Sequence, residues 1–185
     1  MAIDGDEERI PHVGIWEDDD RPHSERVNQY WRAVGMNRLS GYDCKEPWSG
    51  AFISWIMRSV GVANDRFPVS SAHRVYLNHF LANANNPAAA FLPHPIQHYK
   101  PQAGDLICAT RSKTSPPKVL EALPDSFKAG LHCDIVVASH GRILQVIGGN
   151  VRNSVSKTTL TLSPEGYLQP SSLRSWILIL ENRLD

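Results

Sequence analysis

Cysteine is scarce in this 185-residue chain, which carries Cys44, Cys108 and Cys133 and no more. Three are too few for a disulfide scaffold, and an odd number leaves at least one thiol free. The default expectation is three reduced thiols in a cytosolic protein, with one bridge open to any two that fall on neighbouring strands. No apolar run approaches the roughly 20 residues of a membrane span, so a transmembrane protein is excluded. A basic start followed by an apolar stretch is missing, so no Sec-type signal is read. The expected location is therefore the cytoplasm, or outside the cell by a signal-independent route. No glycine-rich phosphate loop, Rossmann fingerprint or internal repeat is present, and Gly148-Gly149 follows a strand without opening a helix. Neither a cofactor nor a metal is implied. Basic residues are scattered singly, without aromatic interleaving, which argues against a nucleic-acid partner.

Net charge is lacking as well, with 19 Lys and Arg against 19 Asp and Glu. That zero hides two opposed segments. Residues 1–20 hold eight acids against Arg9 alone and stand at −7, so the rest of the chain stands at +7. Residues 1–22 also contain Pro11 and Pro22 and show neither helical nor strand periodicity. They read as an acidic, mobile N-terminal tail, suited to engage a protein partner or to shield the basic remainder. Residues 23–185 read as one domain, long enough to bury a core at 42% hydrophobic and 21% charged composition.

Within that domain the hydrophobic period changes once. A first helix is predicted from Ser24 as N-cap, with Val27, Tyr30, Trp31 and Val34 on one face and Gly35 as its stop. Residues 49–60 (SGAFISWIMRSV) give the clearest helix, with Phe52, Ile53, Ile56, Met57 and Val60 at three- and four-residue spacing before Gly61. A third helix is predicted from Ser70 or Ser71 through Leu81. Strands are predicted at 105–110, 132–139, 142–147, 157–162 and 175–181, with His140-Gly141 as a hairpin connection. Helices first and antiparallel strands afterwards make an α+β arrangement.

Chemistry concentrates at the start of the second helix. Ser49 opens it, where the macrodipole is positive and backbone N–H groups lack helical partners. Such a place stabilises the oxyanion formed when a carbonyl is attacked. His132, at the start of a strand, is the candidate base. Across a two-residue turn at His140-Gly141 it faces Gly149, and a bulge at Gly148-Gly149 brings Asn150 opposite it. Asp134, two residues along on the same face, competes with Asn150 to orient the imidazole and is counted among the cleft-lining candidates. For Ser49 by itself the plainer role is that of N-cap, where serine is among the best residues.

The segment PWSGAFISWIMRSVGV resembles the nucleophile helix of papain-like cell-wall hydrolases of the NlpC and CHAP type. GDLIC, HCDIVV and IGGN are similar to their G-D-L strand, histidine strand and following G-N. The combination EPWSGAFISW, FPVSSAH, YKPQAGDLICATR, HCDIVV and IGGNV more closely resembles a bacterial family of unknown function in that superfamily. The resemblance implies a papain-like fold, with N-terminal helices packed on an antiparallel sheet. It places Ser49 at the nucleophile position, His132 at the base and Asn150 near the third member. It also implies cleavage of amide or peptide bonds in peptidoglycan. Serine stands where most of that superfamily has cysteine, so a non-catalytic groove that binds peptide or a partner protein is the alternative.

Other residues have both a functional and a plainer role. Trp48 is expected to wall a substrate groove, and His73 to line it or to be a buried structural histidine. Arg111 is a candidate for a substrate carboxylate, or a solvated arginine at a strand end. His94 and His98 have a zinc-like spacing, but Pro93 and Pro95 argue against a helix there, so both are expected in a loop. Asp105 is expected to anchor the turn after Gly104.

Overall fold

The computed structural model describes residues 6–9, 21–43, 45–110, 130–169 and 174–184. Strand β1 (Asp6–Arg9) is followed by α1 (Arg21–Ala33), α2 (Ser49–Ser59) and α3 (His73–Ala82). The chain then forms β2 (Phe91–Pro95), β3 (Leu106–Thr110), β4 (Leu131–His140), β5 (Ile143–Val151), β6 (Ser154–Thr161) and β7 (Ser175–Asn182). One sheet runs in the order β1-β6-β5-β4-β3-β7-β2, and every neighbouring pair is antiparallel. The architecture is α+β, as the change of period predicts.

The sheet is covered on both faces because its central strands are apolar in both directions. On the helical side Tyr30, Trp31, Phe52, Ile53, Met57, Tyr76, Leu77 and Phe80 pack over Leu106, Cys108, Cys133, Leu178 and Leu180. On the other side Ile107, Ala109, Val136, Leu144, Val146, Leu160 and Ile179 form a second cluster with Ile96, Leu162, Leu168 and Trp176. The two-residue side-chain period of β3 deals Leu106 and Cys108 to the first face, Ile107 and Ala109 to the second.

Several expectations need correction. Asp6–Arg9, read as part of a tail without strand character, pairs with Ser156–Thr159 and forms one edge of the sheet. Helix α1 begins at Arg21, so Ser24 is not its N-cap but a buried residue within it. His94 lies in β2, not in a loop. That strand is the opposite edge of the sheet, where a proline's missing N–H costs the ladder nothing if it faces outward. There His94 Nε2 lies 2.8 Å from Glu181 Oε2 and the ring stacks on Tyr99, so it is held by an acid rather than poised for zinc. The β4–β5 turn is Gly141-Arg142, one residue later than expected. Finally, Cys108 and Cys133 face each other across β3 and β4 and form a disulfide, contrary to the expectation of three free thiols. Cys44 lies outside the described residues.

Candidate active site

The start of α2 is wedged between two other elements, and glycine makes both approaches possible. A Cβ on Gly50 would lie 2.3 Å from the Ser71 carbonyl oxygen. A Cβ on Gly149 would lie 2.5 Å from Phe52 Cβ. Both distances are far inside van der Waals contact, so only glycine lets α2 approach the lead-in to α3 on one side and β5 on the other. Two reciprocal hydrogen bonds hold that lead-in, Ser54 Oγ to Ser70 O at 2.9 Å and Ser70 N to Ser54 Oγ at 3.0 Å. The consequence is local and chemical: the first residue of α3, His73, is delivered to the first residue of α2, Ser49.

Ser49 Oγ and His73 Nε2 are 2.7 Å apart. Ser49 is therefore not the N-cap. Trp48 occupies that position without a side-chain cap, and the Ser49 hydroxyl engages the imidazole instead. The other nitrogen, His73 Nδ1, is hydrogen-bonded to the Tyr76 hydroxyl one turn along α3. Burial raises the Tyr76 phenol well above its ordinary pKa of 10.0, and the charge of Asp134 pushes the same way. Tyr76 was not singled out from the sequence; its i,i+3 spacing from a helical histidine is the signal that was there to find.

A second imidazole stands beside the first, with the ring centres of His73 and His132 5.4 Å apart. His132 Nε2 lies 2.7 Å from Asp134 Oδ1, and Arg174 Nη1 lies 2.6 Å from Asp134 Oδ2. Burial alone would raise the Asp134 carboxyl, but the adjacent His132 and Arg174 outweigh it and hold the group below its ordinary 3.8. Gly148 makes room for this carboxylate, since a Cβ there would lie 2.1 Å from Asp134 Oδ1.

The predicted residues thus separate. Ser49, His73, His132 and Asp134 come together. Asp134 rather than Asn150 is the partner of His132, and among the described residues no hydrogen bond joins Asn150 to that imidazole. Asn150 sits half-buried in β5 at φ 57°, within the irregular β5–β6 pairing between Gly148 and Val151. The bulge that resets the β4–β5 register lies between Val136 and Ala138. Being fully buried, Asp134 does not line a cleft. Trp48 does not wall one either: it is 2% exposed, tilts on Tyr30 at 5.5 Å and donates from Nε1 to Asn153 Oδ1 at 3.4 Å. Arg111 lies outside the described residues.

Ser49 and His73 border a cleft of about 280 Å³ whose other walls include Trp31, Pro47, Ser71 and Leu131. Exposed Glu46 and Arg74 stand at it with opposite charges. Among the described residues no three His, Cys, Asp or Glu side chains converge as a metal site, and no helix is long and apolar enough to cross a membrane. The arrangement places a hydroxyl, two imidazoles and a helix N-terminus within one small volume, which are the parts acyl transfer requires.

No curated protein and no solved structure matches the chain at a significant level. A family model does, across residues 15–178, and its description is an uncharacterized protein conserved in bacteria, DUF2272. With that much of its length matched, the chain belongs to the bacterial DUF2272 family.

Proposed function

We propose that the protein hydrolyses an amide or peptide bond through Ser49, with peptidoglycan stem peptides as the substrate. The observation that carries this reading is the 2.7 Å hydrogen bond between Ser49 Oγ and His73 Nε2 at the start of a helix, with a second, carboxylate-held imidazole adjacent. In this mechanism Ser49 Oγ attacks the carbonyl carbon and an imidazole takes its proton. The N–H groups of the first turn of α2, which have no partner within the helix, face the oxyanion, and the imidazolium protonates the leaving amine. Water then releases the acyl group by the same steps reversed.

The order of a helix bearing the nucleophile, then antiparallel strands bearing His132, supports a papain-like fold and kinship with the NlpC and CHAP hydrolases. In that scheme Asp134 takes the orienting role in place of Asn150. The Cys108–Cys133 bridge supports action outside the reducing cytosol. A second reading, a groove that binds wall peptide or a protein partner without cleaving it, is favoured by one observation: Ser49 is only 1% exposed.

The test is incubation of the protein and its Ser49→Ala, Ser49→Cys and His132→Ala variants with soluble muropeptides, with products followed by mass spectrometry. The expected result is a cleaved stem peptide in wild type and a loss of at least about 100-fold in Ser49→Ala and His132→Ala. Equal turnover in wild type and Ser49→Ala removes Ser49 from the mechanism. Binding without turnover, with cleavage gained in Ser49→Cys, establishes the binding groove instead.

A further inference from the structure

We propose that Tyr76 is a positioning residue that fixes the tautomer of His73, so that His73 donates to Ser49 and the base is the other imidazole, His132. The catalytic meaning of this assignment rests on the hydrolytic reading of Ser49, whereas the tautomer itself does not. A neutral imidazole has one N–H donor and one acceptor nitrogen, and which is which follows from the partners. Tyr76 is completely buried in α3, and among the described residues its hydroxyl is hydrogen-bonded to His73 Nδ1 alone.

Burial keeps the phenol neutral, so it retains its hydrogen. A buried O–H with one partner donates to it, because accepting instead would strand the hydrogen in the core. His73 Nδ1 therefore accepts, and the ring's hydrogen sits on Nε2. That nitrogen is the one 2.7 Å from Ser49 Oγ, so the bond runs from His73 to Ser49. A nitrogen already carrying a hydrogen cannot take the serine proton.

The same logic gives His132 the opposite duty. Its Nε2 lies 2.7 Å from Asp134 Oδ1, off the line of a regular hydrogen bond, and Arg174 on the other oxygen keeps that carboxylate ionised, so a bare nitrogen lone pair at that distance would be repelled. His132 Nε2 then carries the hydrogen and Nδ1 keeps the lone pair, the form a general base needs. Two neighbouring imidazoles thus share one tautomer and divide the labour. His73 holds the serine oxygen, and His132 removes its proton.

The deciding experiment is long-range 1H–15N correlation spectroscopy of the full-length protein labelled in its histidine rings. Signals are assigned by their loss in His73→Gln and His132→Gln. The expected result is pyrrole-type Nε2 and pyridine-type Nδ1 in both residues. In Tyr76→Phe, His73 alone should move to averaged shifts. A pyridine-type Nε2 in His73, pyrrole-type signals at both of its nitrogens, or no change in Tyr76→Phe overturns the assignment.

A kinetic arm uses p-nitrophenyl acetate as the probe. His132→Gln removes the base and should lose at least about 100-fold, and His73→Gln, which keeps an N–H donor for the serine oxygen, should lose activity by a smaller factor. The reverse order overturns the assignment of the base. Absence of turnover even in wild type tells against the hydrolytic reading, and the tautomer is then still decided by the spectra.

Discussion

Asp105 and Asp134 are both almost completely removed from solvent, at 2% and 0% exposure, the first just before β3 and the second in the neighbouring strand β4. Yet their carboxyls are driven in opposite directions. Burial raises Asp105 above 3.8, and the two backbone N–H groups it accepts, from Gln102 at 2.7 Å and Asn182 at 2.9 Å, only partly offset that. Burial acts on Asp134 too, but the adjacent His132 imidazole and the Arg174 guanidinium offset it, and the balance falls the other way. The difference lies in the partners. Amide dipoles tie Asp105 to two loops, pinning the turn before β3 to the end of β7, which makes it an anchor. An imidazole and the Arg174 guanidinium make Asp134 part of a polar network beside a buried serine, where its ionised state has a use.

The comparison is broken most severely by Asp134→Ala. Removing one partner of a buried ion network leaves the others uncompensated, so a loss of about 3 kcal/mol in urea unfolding is expected. The figure sits at the low end for such pairs because Arg174 is 19% exposed and can turn toward water. A loss under 1 kcal/mol would mean that Asp134 is no more a network member than Asp105.

Next in size is Gly148→Ala, expected to cost about 2 kcal/mol because the new methyl meets Asp134 Oδ1 and the strand is tightly packed. The informative form is a double-mutant cycle. In the Asp134→Ala background the clash is gone, so the same substitution should cost far less. Additive losses would show that Gly148 serves the strand and not the carboxylate.

What could be read from the chain beforehand follows the range of the interactions. Helix α2 was legible because Phe52, Ile53, Ile56 and Met57 announce a face by spacing alone. Strands β3 to β7 were legible for the same kind of reason, as short alternating or apolar runs. β2 was not, since Pro93 and Pro95 normally argue against a strand and only an edge position excuses them. Nor was β1, whose residues are acidic and whose pairing with β6 spans most of the sequence.

At the site, Ser49 and His132 stood out by type and place, and Asp134 by its position two residues along from His132, but His73 as the partner of Ser49 did not. His73 reaches Ser49 through the Gly50–Ser71 approach, a packing fact between residues 24 apart from donor to acceptor. Asp134 is the partner although the Ile135–Ile147 register, carried on, sets position 150 opposite His132; the bulge that produces this register lies near Val137, where the sequence carries no glycine or other bulge signal. The disulfide had the same status: two cysteines on strands can pair only if the register sets them opposite, and β3–β4 does so.

The smallest effect, and the one that sharpens the comparison most, is Asp105→Asn. At neutral pH it exchanges one accepting oxygen for an NH2 group that faces a backbone N–H, with an expected cost of about 1 kcal/mol. The distinguishing readout is how that cost varies with acid. In wild type the folded state binds the Asp105 proton more tightly than the unfolded state. Stability therefore rises as pH falls from neutral through the raised value of Asp105 toward 3.8. The asparagine variant lacks this gain, so its deficit should widen over that interval.

Asp134 behaves oppositely. Its folded carboxyl lies below 3.8, so its contribution is intact above that pH and is lost as pH falls through the lowered value. The deficit of Asp134→Ala should therefore hold steady above pH 4 and narrow below it. Urea midpoints of the three proteins at pH 7, 5, 4 and 3 measure both trends. If the two deficits change with the same sign, the partners do not set the direction, and burial alone governs both carboxyls.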